Sequence, residues 1–354
     1  MKPLAQNAQE ERGGMVVLKS KRSKGRIAFA VVAIVGSLLV NSTVAMAAQK
    51  TKQINVAYLS FAITNSYDAP MLAAARAVAS ASGVKVTVFD AGNDPKVQYT
   101  QLQNAISSGK YQGIITQPIF GAGLAPLVAK AIAKGIKVVN IDQILGADFT
   151  TDKPQVKGLS ANVTFVPSKI GTQMGQQVIA ACASKSLNPC KVGYIYSIKA
   201  STLDVAIYKG FSDAIAKNSA VQVVAEGESF FTPSVALGAV QNMLQAHSDL
   251  NVIVASDQGI QGAVQAVDGA KLTGQILLVG FGASGAGIAG VKAGTWFSDV
   301  AQAPASEGTL GMMALIKAIN TGKASGAIDP VKELPNGGLV TKSTAKLFTA
   351  EWPG

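Results

Sequence analysis

Histidine is almost missing from this chain, which has only His247, and cysteine occurs twice, as Cys182 and Cys190. One histidine beside Ser248-Asp249, with no G-x-S-x-G elbow, does not build a nucleophilic triad and reads as a helix-end residue. Paired Cys/His spacings of a zinc site are also missing. Catalysis by a nucleophile or a metal is therefore not expected, and neither is a cofactor. No basic stretch is interleaved with aromatics and no helix-turn-helix opens the chain, so nucleic acid is not expected as a partner. The positive excess is smaller than it looks. Of 31 basic and 20 acidic residues, seven and two lie within residues 1–47, leaving 24 against 18, a surplus that a solvated surface accommodates.

A long apolar span is lacking too. The run at 27–40 is shorter than the about 20 residues of a membrane-crossing helix. It follows Lys19, Lys21, Arg22, Lys24 and Arg26 and precedes Ala45-Met46-Ala47, the pattern of a cleaved secretory signal peptide at 1–47. Translation begins at Met1 or at Met15. No cysteine follows the cleavage site, so a soluble protein in the periplasm or outside the cell is expected. In that oxidising compartment Cys182 and Cys190 are expected to form a disulfide, the alternative being two free thiols.

What is present is a repeated alternation. Residues 113–117 read as an apolar strand stopped by Pro118. Leu124, Leu127, Val128, Ala131 and Ile132 then share one face of a helix at 124–134. Gly135 ends it, and a strand at 137–141 runs into Asp142-Gln143. This is a βαβ unit with parallel strands and a right-handed crossover. Ligands of open α/β sheets gather at the carboxyl ends of strands, where Gln117, Asp142 and Gln143 fall.

The same alternation starts at residue 53 and, in a second series, near residue 161. Two βα series of similar length predict an α/β protein with two doubly wound parallel-sheet lobes. No low-complexity linker separates them, so hinge strands near Leu159-Ser160, Gln302 and Pro335 are expected to join them. One lobe then comprises residues 48–160 plus 303–333, and the other 161–302 plus 334–354.

With these segments placed, residues 54–340 resemble the type I periplasmic solute-binding proteins, in the ribose-binding-like sugar branch that feeds ABC importers. The resemblance rests on Asn65-Ser66-Tyr67, Asp94-Pro95 with Gln101 and Gln103, Gly113-Ile114-Ile115 with Gln117-Pro118, residues 135–139 leading to Asp142, Gly210-Phe211, Val279-Gly280-Phe281 and Gln302. It implies the type I periplasmic binding protein fold and a site in the interlobe cleft. Asn65 then stands where an asparagine binds a sugar hydroxyl, and Tyr67 where an aromatic ring stacks on the sugar. Gln117 ends the third strand, Asp142 falls on the family's aspartate and Gln143 where an arginine often follows. Phe230 or Phe231 meets the aromatic position, Ser256 and Asp257 follow a strand, and Gln302 falls on the hinge glutamine. Two positions depart from the pattern. The arginine usual before Gly210-Phe211 has no counterpart in residues 204–209, and the aspartate usual after Gly280-Phe281 is Gly282.

These residue types suit a polyol. A carboxylate accepts from two hydroxyls at once, amides both donate and accept, and rings cover the C–H face of a sugar. Each has a plainer reading as well. Asp142 could cap a turn, Tyr67, Phe230 and Phe231 could be core aromatics, and Ser256 or Asp257 could open a helix. The run Gly280, Gly282, Gly285, Gly287 and Gly290 lacks dinucleotide spacing and reads as a tight strand-to-helix connection. The expected activity is non-enzymatic capture of a small polar solute, a sugar or polyol, by a monomer that delivers it to the transmembrane subunits of an ABC permease. A sensory protein docking on a chemoreceptor or kinase, or an autoinducer-2-like receptor, is the alternative.

Overall fold

The computed structural model describes residues 53–354; the signal peptide expected at 1–47 lies outside them. In chain order the elements are β1 (Asn55–Ser60), α1 (Asp68–Ala81), β2 (Lys85–Asp90), α2 (Pro95–Ser107), β3 (Gly113–Thr116), α3 (Gly121–Ala133), β4 (Lys137–Asp142) and β5 (Ala161–Thr164). There follow α4 (Pro167–Ser184), β6 (Cys190–Tyr196), α5 (Thr202–Ile215), β7 (Val221–Glu228), α6 (Pro233–Ala246), β8 (Val252–Ser256) and α7 (Asp257–Gly269). The last are β9 (Leu277–Gly282), α8 (Gly285–Ala293), β10 (Ser298–Ala301), α9 (Pro304–Thr321), β11 (Gly326–Ile328) and β12 (Leu339–Val340).

Two six-stranded sheets result, ordered β11-β5-β4-β3-β1-β2 and β12-β10-β9-β8-β6-β7. Every pairing is parallel except β10 with β12. Central strands such as β3 and β8 are buried along their whole length. Helices cover both faces, which is why these strands read as apolar runs instead of alternating. Helix starts are written in short polar side chains. Asp94 accepts from Lys96 N and Val97 N ahead of Pro95, and Ser201, Ser256 and Ser284 cap α5, α7 and α8.

The boundary expected at 160/161 is shifted. β5 pairs with β4 and β11 in the first sheet, so the chain leaves that half only after Thr164. The other two passages between sheets are at 302–303 and 329–338. Helix α3 starts at Gly121, three residues before the first residue of its apolar stripe. A side chain at Gly121 would put Cβ 1.9 Å from the carbonyl oxygen of Ile144. Backbone contact also sets the main helix pairs. A Cβ on Gly171 would lie 1.8 Å from Ile207 O, one on Gly210 2.0 Å from Ser168 O, and one on Gly308 1.9 Å from Met71 O. The pairs α4/α5 and α1/α9 therefore touch backbone to backbone. Cys182 and Cys190 are bonded, tying the end of α4 to the start of β6. Among the described residues no helix is long and apolar enough to cross a membrane.

Candidate functional site

The carboxyl ends of both sheets face a common cavity that is drawn nearly shut, with about 20 Å³ left free, the room of a single water. From the first half it is lined by Phe61, Asn65, Tyr67, Asp68, Asp142 and Gln143. Leu203, Phe231, Ser256, Gln258, Phe281 and Gln302 line it from the second half, together with Trp352. The two sides touch. Gln258 Nε2 is 3.4 Å from both Asn65 Oδ1 and Ser66 Oγ, Gly121 N donates to Thr202 Oγ1, and the Phe61 and Phe231 rings meet edge to face at 6.2 Å. This is a closed arrangement of the cleft.

At the end of β4 the chain makes a tight turn, with Gln143 N donating to Ile141 O and Asp142 held at φ 64°. Phe230 and Phe231 adopt φ 49° and 52°, and Ala283 φ 48°. Left-handed backbone is costly for bulky side chains such as these phenylalanines, and it recurs at three strand ends around this cavity.

Under Asp142 lies a network of buried carboxylates. Gln117 Nε2 donates to Asp68 Oδ1 at 2.6 Å and to Asp142 Oδ2 at 3.0 Å, while its Oε1 accepts from Phe61 N. Burial pushes the Asp142 carboxyl up to about 6, against the lowering pull of the Gln117 and Gln143 amides. Burial, then the charge of Asp142, holds Asp68 well above the usual range, and Glu307 is raised by the same two causes. The Tyr67 hydroxyl donates to Glu307 Oε1 at 3.0 Å. Among the described residues no lysine or arginine lines the cavity. Gln143 Oε1 is buried without a hydrogen-bond partner among the described residues, an acceptor free for a donor in the cavity.

The residues singled out in the sequence fall into three groups. Asn65, Tyr67, Asp142, Gln143, Phe231, Ser256 and Gln302 come together on the cavity wall, Ser256 also capping α7 through its hydroxyl. Gln117 and Asp257 lie behind the wall. Gln117 positions Asp142, whereas Asp257 accepts from Ser284 N at 2.7 Å and faces Asp299. Phe230 turns outward and is 48% exposed, at the mouth of the cleft beside Thr64 and Asn93. Just ahead of residues 204–209, where an arginine is expected from the resemblance, Leu203 faces the cavity, and Asp204 accepts from Ser197 N, Ile198 N and Ser201 Oγ.

Sequence reasoning missed Phe61, Asp68, Leu203, Gln258, Phe281 and Trp352. Asp68 and Gln258 carried a signal, since each sits in the first turn of a helix that begins at a strand's carboxyl edge. Trp352 carried none, being remote in sequence from every strand of the cleft.

Over residues 56–324 the chain matches a family described as a periplasmic binding protein domain. It is 28% identical over 272 residues to the D-allose-binding periplasmic protein of Escherichia coli (strain K12), covering 73% of this chain and 81% of that one. It is 25% identical over 229 residues to a ribose import binding protein of Bacillus subtilis (strain 168), covering 64% and 69%. Its fold is like that of a carbohydrate transporter solute binding protein from Agrobacterium radiobacter in complex with D-arabinose, with a TM-score of 0.70 at 23% identity over 82% of this chain and 95% of that one. With its two mainly parallel sheets and the cavity between their carboxyl edges, and with most of its length matched by one family, the chain belongs to the periplasmic binding proteins.

Proposed function

We propose that the protein captures a neutral sugar or polyol in this cavity and delivers it to the transmembrane subunits of an ABC importer. One observation carries the ligand class. A carboxylate and several amides from both halves converge with aromatic rings on a cavity that, among the described residues, no lysine or arginine lines. Asp142 accepts from hydroxyls, Asn65, Gln143 and Gln302 donate and accept, and Tyr67, Phe231 and Phe281 cover apolar faces. The D-allose and ribose binding named for its relatives points the same way.

Capture is an equilibrium shift. A ligand that touches both halves favours the closed form over an open one by its contacts to the second half, and rotation occurs where the chain passes between the sheets. Buried polar groups left unmet by the wrong solute provide discrimination. Family membership goes with a periplasmic location, and the basic and apolar leader is read as a cleaved export signal. On this reading the protein acts as a monomer.

The test is a thermal-shift panel of D-ribose, D-allose, D-arabinose, myo-inositol, amino acids and nucleosides. A ligand at 100 times its dissociation constant adds about 2.7 kcal/mol to folded stability. A sugar or polyol is expected to raise the melting temperature, and Asp142→Asn to abolish the rise. Stabilisation by an amino acid or nucleoside alone would sink the sugar reading.

A further inference from the structure

Residues 351–354 enter the cleft and touch both halves. On the first half, the Glu351 carboxylate accepts from Ser306 N at 2.8 Å and from the Ser306 hydroxyl, in the first turn of α9. The Trp352 ring meets Tyr67 edge to face with centroids 5.3 Å apart. On the second half, the Trp352 indole N–H donates to Gly282 O at 2.9 Å. Gly285 N donates to Trp352 O at 2.9 Å and Ala286 N to Pro353 O at 3.1 Å, in the first turn of α8. These contacts satisfy backbone donors that a helix start leaves open.

Gly282 is shaped to the same contact. Its φ is 143°, and a Cβ there would lie 2.5 Å from Trp352 Cζ2. The space that a side chain at this strand end would fill is taken by the indole, with the Asp257 carboxyl beside it. Trp352 is 4% exposed, yet its ring forms part of the cavity wall.

We propose that residues 351–354 form a strap that ties the two halves together across the closed cleft, and that Trp352 is a ligand-contacting wall that presents an apolar face to the cavity. The strap needs no ligand to be true. The wall role rests on the cavity being the solute site, as proposed above. The two claims therefore have separate readouts.

Trp296 and Trp352 are the two tryptophans of the chain, so in a Trp296→Phe background fluorescence reports Trp352 alone. Without sugar, emission is expected to be blue-shifted and resistant to acrylamide. Adding Glu351→Ala should make it quenchable and enlarge the radius of gyration in X-ray scattering. Quenching as strong as that of free tryptophan amide before Glu351 is changed, or no response to Glu351→Ala, overturns the strap. For the wall, Trp352→Ala is compared with Trp352→Phe by calorimetry, using whichever of D-ribose, D-allose, D-arabinose or myo-inositol stabilises the parent, with circular dichroism confirming folding. Loss of the ring is expected to weaken binding at least about tenfold, with phenylalanine recovering much of it. Unchanged affinity in folded Trp352→Ala overturns the wall role and leaves the sugar reading standing. If none of the four stabilises the parent, the sugar reading fails and takes the wall role with it, while quenching and scattering still decide the strap.

Discussion

The side-chain nitrogen of Gln117 lies 3.0 Å from a carboxylate oxygen of Asp142 and is the donor that keeps the cavity's carboxylate in place. The same nitrogen reaches Asp68, so one amide serves two buried acids. Replacing it with an isosteric apolar group strands both, together with Phe61 N. Gln117→Leu is expected to cost about 1–3 kcal/mol in urea denaturation. It should also weaken sugar binding, although Gln117 lies behind the cavity wall. Wild-type stability and affinity would show that the network is dispensable.

Stability should fall as pH rises. Burial pushes Asp142, Asp204 and Asp257 up to about 6, and Asp68, Asp299 and Glu307 are raised as well. Between the unfolded values, about 4, and those near 6, the folded chain holds protons that the unfolded chain has released. Folding is therefore favoured at the low end of that window, and the advantage is lost as pH climbs through the folded values. Asp148, Asp249 and Glu226 shift downward, but they lie at the surface and oppose this weakly. The unliganded protein is expected to melt higher at about pH 5 than at about pH 7.5. The opposite order would mean that these acids are paired in solution.

Anionic sugars should be rejected. The cavity holds Asp68 and Asp142 and, among the described residues, no lysine or arginine, so a uronic acid would bring a second unpaired charge into a desolvated space. For any neutral sugar that binds, its uronate is expected to bind at least about tenfold more weakly at neutral pH, a difference of about 1.4 kcal/mol that titration calorimetry resolves. Equal affinities would place a cation near the ligand.

Gly171 and Gly210 leave no room for a methyl group. A Cβ on either would fall within 2.0 Å of a carbonyl oxygen on the facing helix. Gly210→Ala is expected to destabilise the protein by about 1–3 kcal/mol, through forced separation of α4 and α5. Gly238→Ala is the control. Gly238 lies within α6 with open space around it, and there alanine should be neutral or stabilising by about 1 kcal/mol.

The βα alternation was legible because helical and strand periodicities differ and because Pro, Gly and Asp mark the ends, as Asp94-Pro95 does for α2. The sheet to which β5 belongs was not legible. A four-residue strand buried throughout shows no preferred face, and its partners β4 and β11 are set by pairing across a long stretch of chain. Asp142 was legible from its place at a strand end, whereas the choice between Phe230 and Phe231 depended on two successive left-handed residues that turn one ring in and the other out. Trp352 lay beyond any local pattern, because only tertiary packing brings residue 352 against Tyr67 and Gly282.

Backbone-to-backbone contact at Gly171, Gly210 and Gly308 has a mechanical consequence. Helices packed that closely have no slack in which to slide, so each half of the molecule is stiff and cannot absorb strain internally. Any turning about residues 165–166, 302–303 and 329–338 is then passed on whole. A shift of a few ångströms where a solute sits becomes, by leverage, a larger shift at the rim farthest from the pivots, and the arrival of a small molecule becomes readable on the protein's outer surface.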